Sequence, residues 1–120
     1  MIRDEYIRDA VVDRVVDGDT LDLMVDLGFG TFKKIRVRLL GIDCPEIRGK
    51  EKVAGRAARE FVTRLRIQTP SRVSVKTTKY KKGKYGRYLA EVYSRYADCE
   101  DEQSWNSKII ESGHGVSTEK

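Results

Sequence analysis

Three runs of strand-forming residues, at 11–16, 21–27 and 31–40, follow one another with only Asp17-Gly18-Asp19-Thr20 and Gly28-Phe29-Gly30 between them. In the second run Leu21, Leu23, Val25 and Leu27 alternate with Asp22, Met24 and Asp26, the period-2 pattern of a strand with one buried face. The third alternates Ile35, Val37 and Leu39 with Arg36, Arg38 and Leu40. In the first, Val11, Val12, Val15 and Val16 interleave with Asp13 and Arg14, a strand by residue type though not by strict alternation. Asp-Gly between two such runs is a strong hairpin signal. Consecutive strands with turns this short form an antiparallel meander.

At Gly49 the period changes. Val53, Ala57, Phe61, Val62 and Leu65 recur at helical spacing, with Lys50, Lys52, Arg56, Arg59 and Arg64 on the other faces, so an amphipathic helix is expected over about 51–67. Its arginine-rich second half suits the negative end of the helix dipole, and Thr69-Pro70-Ser71 stops it. Residues 72–77 read as a fourth strand, 87–93 as a fifth and 105–112 as a short helix stopped by Gly113. The predicted class is mainly β (α+β): a five-stranded OB-fold barrel with a helix between strands 3 and 4 and a short C-terminal helix. Other small α+β folds share this order. A single domain over 1–120 is expected, with 1–8 as an N-terminal extension and 116–120 as a frayed tail.

The third strand runs into Gly41-Ile42-Asp43-Cys44-Pro45-Glu46. Within nine residues the chain delivers Arg38 and two carboxylates, Asp43 and Glu46, on a turn that Pro45 keeps out of any ladder. Two acids at close range need a cation near them. The arrangement suits a metal ligand beside a general base.

Charge is segregated along the chain. Residues 1–46 carry 7 Lys/Arg against 10 Asp/Glu, whereas 71–95 carry 8 Lys/Arg against the single Glu91. Lysines and tyrosines crowd residues 78–86, a cationic loop with aromatic faces. A polyanion guided by the basic part toward a cation-loaded acidic part fits that asymmetry. No apolar run approaches the roughly 18 residues of a membrane span, and Met1-Ile2-Arg3-Asp4-Glu5 lacks the core of a secretory signal, so a cytoplasmic protein is expected. Cys44 and Cys99 have no short metal spacing and are read as free thiols.

Three separated motifs, Val16-Asp17-Gly18-Asp19-Thr20, the stretch from Arg38 to Glu46, and Lys84-Tyr85-Gly86-Arg87-Tyr88-Leu89-Ala90, together resemble the staphylococcal nuclease (thermonuclease) family in order and spacing. The likeness runs from about residue 9 to residue 115 and implies the same OB barrel. It implies that Asp19 and Asp43 are calcium-binding carboxylates and that the Cys44 backbone carbonyl completes the protein's ligands. It further implies Glu46 as general base, Arg38 and Arg87 as the pair holding the scissile phosphate, and Lys84 and Tyr85 as contacts to a neighbouring phosphate. Cys44 stands where the family often has threonine, and residues 114–120 offer neither the substrate-contacting tyrosine nor the further helix of the longer family members.

The chemistry is coherent. Calcium takes oxygen ligands, with other divalent metals as alternatives. A carboxylate beside the phosphate can accept a proton from attacking water, and two guanidiniums offer fixed forks to phosphate oxygens as charge builds. The expected activity is calcium-dependent hydrolysis of DNA and/or RNA with little sequence specificity, by a monomer. The alternative is a non-catalytic OB module that binds nucleic acid through residues 79–87.

Overall fold

The computed structural model describes residues 5–68, 72–79, 88–94 and 103–118. Strand β1 (Glu5–Asp17) turns through Gly18 and Asp19 into β2 (Thr20–Gly28), which turns into β3 (Thr31–Leu39). A two-residue strand β4 (Ile42–Asp43) follows, then a single 3-10 turn and helix α1 (Lys52–Gln68). Strands β5 (Val73–Lys79) and β6 (Tyr88–Tyr93), helix α2 (Trp105–Glu111) and the short β7 (Val116–Ser117) complete the order. The large strands close into a barrel, β1-β2-β3-β6-β5, with β1 returning to β5. All its pairings are antiparallel except β3 with β6, which sets Arg38 opposite Leu89. This is the expected five-stranded OB-like barrel, with α1 between its third and fourth strands.

The irregular alternation in β1 has a structural cause. Its register against β2 shifts between Val12 and Arg14 and again between Val15 and Asp17. Each irregularity adds a residue to one strand, so Ala10, Val12 and Val15 can all point inward although 12 and 15 differ by an odd number. Leu21, Leu23 and Val25 of β2, Val37 and Leu39 of β3, Val73 and Val75 of β5 and Ala90 and Val92 of β6 fill the rest of the interior. Each fully buried aliphatic side chain contributes about 1.5–3 kcal/mol relative to exposure.

Three expectations are corrected. Residues 5–8 are not an extension: they are part of β1 and pair with β5 from Glu5 opposite Thr78 to Arg8 opposite Val75. Val116 and Ser117, expected to fray, pair with Asp43 and Ile42, and the Thr118 N–H donates to the Gly41 carbonyl at 2.9 Å. The turn after α2 returns the chain beside β4 and so satisfies backbone groups that would otherwise lack partners. The buried face of α1 is Gly55, Ala58, Val62 and Leu65, with Phe61 partly covered, whereas Val53 is 78% exposed. Ala57 also faces water. Val62 and Leu65 are buried as expected, so only the first half of the stripe differs, with Gly55 and Ala58 inside in place of Val53 and Ala57.

Helix α2 plugs the barrel end beside the β3–β6 junction. Trp105 is fully buried and its Nε1 donates to Ser94 Oγ at 2.7 Å. Asn106 Nδ2 donates to the carbonyls of Leu40, at 2.8 Å, and Ala90, at 3.0 Å, while its Oδ1 accepts the Val92 N–H at 3.3 Å. One amide thereby ties α2 to β6 and to the start of the turn that leads to Asp43.

Candidate active site

The β1–β2 turn and the chain leaving β3 meet at one end of the barrel. Thr20 pairs with Arg38 across the β2–β3 ladder, and the Leu39 N–H donates to the Asp19 carbonyl at 2.8 Å. That pairing brings two loops distant in sequence side by side. Asp19, only 7% exposed, turns its carboxylate toward the Asp43–Cys44 turn: Oδ2 accepts the Cys44 N–H at 3.0 Å and Oδ1 accepts the Thr20 hydroxyl at 3.1 Å. A hydrogen bond to an ionised acceptor is stronger than one between neutral groups, so Asp19 fixes the turn as well as charging it.

Arg38 supplies the counter-charge. Its Nη2 donates to Asp43 Oδ1 at 3.1 Å and lies 3.8 Å from Asp19 Oδ2. The acids bridged by the guanidinium are therefore Asp19 and Asp43, rather than the Asp43 and Glu46 that the strand-end reading had paired. Arg38 and Asp43 are both open to water, so their pairing adds little to stability and leaves the guanidinium available to an incoming anion. Glu46 is exposed, and among the described residues it has no ion pair or hydrogen bond. Lys84, Tyr85, Arg87 and Cys99 lie outside the described residues.

Among the described residues no three His, Cys, Asp or Glu side chains gather as a metal cluster. Two carboxylates of the kind a hard cation takes, Asp19 and Asp43, nonetheless come close together, since Arg38 Nη2 lies 3.8 Å from one and 3.1 Å from the other. Ligands of that kind leave positions for water and a phosphate oxygen. The Cys44 thiol is buried, and burial, followed by the negative charges of Asp19, Asp43 and Asp17, pushes it up to about 12.

Two further features near this end of the barrel were hidden in the sequence. A methyl on Gly18 would lie 2.8 Å from Ala58 Cβ and 3.0 Å from Cys44 Sγ, so the glycine lets the β1–β2 turn, α1 and the Cys44 turn touch. Its place in an Asp-Gly hairpin masked that role. On the outer face of β2, Asp22 is buried under Arg36, whose Nε and Nη2 donate to its two oxygens at 2.8 and 3.2 Å. That pairing holds the Asp22 carboxyl below the usual carboxylate range. His114 packs its ring on Phe61 with centroids 4.9 Å apart.

The chain matches the family described as Staphylococcal nuclease homologue over residues 36–119. An "Uncharacterized endonuclease" of Escherichia coli O157:H7, and one of Escherichia coli, are each 34% identical over 81 residues, which is 68% of this chain and 45% of theirs. "Protein ParB" of Escherichia coli is 36% identical over 80 residues, 67% of this chain and 38% of its own. The chain thus spans less than half the length of these curated relatives. The family match covers Arg38, Asp43, Cys44, Glu46, Lys84, Tyr85 and Arg87 but begins after Asp19, which joins the group through its bond to the Cys44 amide. By a match over most of its length, this chain belongs to the staphylococcal nuclease homologue family.

Proposed function

We propose that the chain is a nuclease domain that hydrolyses phosphodiester bonds of DNA and/or RNA with little sequence specificity, as a monomer with one calcium ion. The observation that carries the reading is the junction at the barrel end, where Arg38 faces Asp43 at 3.1 Å and Asp19 at 3.8 Å and the Cys44 amide locks Asp19 in place. A solvent-open guanidinium beside two converging acids is suited to a phosphodiester handled together with a cation.

In this reading Asp19, Asp43 and the Cys44 carbonyl hold calcium, which when bound supplies Lewis-acid polarisation of the phosphate. Arg38 and Arg87 grip the scissile phosphate and offset the charge that builds on its oxygens. Glu46 takes the proton of the attacking water. Lys84 and Tyr85 hold the adjacent phosphate. Purified protein incubated with plasmid DNA or RNA in calcium, magnesium or chelator tests this directly. Degradation in calcium that the chelator abolishes is expected. Salt-sensitive binding without cleavage in every metal would instead identify a non-catalytic nucleic-acid module.

A further inference from the structure

Helix α1 meets the turn that carries Glu46 with no side chain between them. A methyl group on Gly55 would fall upon the Glu46 carbonyl carbon and oxygen and lie 2.7 Å from the Ile47 amide nitrogen. These are backbone atoms, which cannot rotate away as a flexible side chain can. Gly55 has no positive φ to explain it, and glycine inside a helix is less stable than alanine. Close approach is the remaining reason for it.

The helix itself is firmly seated. Ala58, Val62 and Leu65 enter the core, and Arg59 Nε donates to the Val15 carbonyl at 3.2 Å. The Glu46 carboxylate, exposed and without a hydrogen bond or ion pair among the described residues, is placed by its backbone alone. Pro45 fixes that backbone on one side through its ring. The surface at Gly55 fixes it on the other.

We propose that Gly55 is the positioning residue for Glu46: the bare helix backbone is the stop on which the Glu46–Ile47 peptide rests, and it sets the reach of the base toward a phosphate at Arg38. The inference rests on the reading of Glu46 as general base. A displaced base loses rate rather than binding, and a shift of about 1 Å can cost on the order of 100-fold.

The test is a double-mutant cycle in calcium on a single-stranded DNA oligonucleotide carrying a fluorophore and quencher. Gly55→Ala should lower kcat on the order of 100-fold with KM little changed, and should cause no further loss when added to Glu46→Gln. A Gly55→Ala protein with wild-type kcat, beside an impaired Glu46→Gln, overturns the inference alone. So does a Gly55→Ala loss that persists in full on the Glu46→Gln background, which would mark a purely structural role. A fully active Glu46→Gln overturns both the inference and the reading of the base. Should Gly55→Ala not fold, Ala54→Gly loosens the same helical turn from its exposed side without adding volume. It should lower kcat several-fold in the parent and not in Glu46→Gln, and an unchanged kcat in the parent overturns the inference.

Discussion

Replacing Asn106 by leucine would separate the polar and steric roles of the residue that joins α2 to the barrel. Leucine keeps the forked outline of asparagine and is the larger of the two, so no cavity forms, but three hydrogen bonds disappear at a position only 6% exposed. The Ala90 carbonyl keeps a partner, because it also accepts the Leu40 N–H at 2.9 Å. The Val92 N–H and the Leu40 carbonyl lose theirs. A buried polar group left unpaired costs about 1–3 kcal/mol. Leu40 is only partly buried and water can reach it, so the low half of the range applies there, and the sum is about 3 kcal/mol. That is a large share of the roughly 5–15 kcal/mol that holds a domain folded, and at roughly 4 °C per kcal/mol it lowers Tm by about 12 °C. Urea denaturation followed by circular dichroism should show the midpoint falling with the slope unchanged. A loss under about 1 kcal/mol would refute the claim that this amide sustains the junction.

Other consequences follow from the same geometry. Gly18→Ala should destabilise by about 1–3 kcal/mol through overpacking, and adding Ala58→Gly should recover part of it, since the two Cβ atoms would be 2.8 Å apart; no recovery would remove that contact as the cause. Asp22, its carboxyl held low by Arg36, contributes stability that is complete above the unfolded value near about 3.9 and is lost as pH falls through the lower folded value. Asp22→Asn should therefore be destabilised at pH 7 and converge with the parent in acid, and a gap independent of pH in urea titrations would contradict this. Cys44, buried and protonated at neutral pH, should resist iodoacetamide in the native protein and react on unfolding. Peptide mapping reads it apart from Cys99, and fast native labelling would count against the packing described.

Strands β2 and β3 and helix α1 were legible because each repeats a period over enough residues to be recognised, whereas β1 was legible by residue type. Two-residue strands have none. The pairing of Ile42–Asp43 with Val116–Ser117 depends on where α2 returns the chain, which no local pattern encodes. Gly55 was invisible to a hydrophobic count although it opens the buried stripe; an isolated glycine inside a helical pattern was the available signal. At the site, Arg38 and Asp43 stood out as charges closing a strand, while Asp19 entered only through the family motif. That the Cys44 amide would bind the Asp19 carboxylate is a tertiary fact, set by the β2–β3 register and beyond any reading of spacing.

In the proposed mechanism Glu46 acts on the attacking water while the other acids and Arg38 handle charge. Cleavage of a labelled oligonucleotide in calcium by Glu46→Gln, measured with its affinity for the same strand, tests that division directly. A rate lowered by roughly 10²–10⁴-fold with binding intact is the predicted result. An unaltered rate, or affinity lost in step with rate, would contradict it.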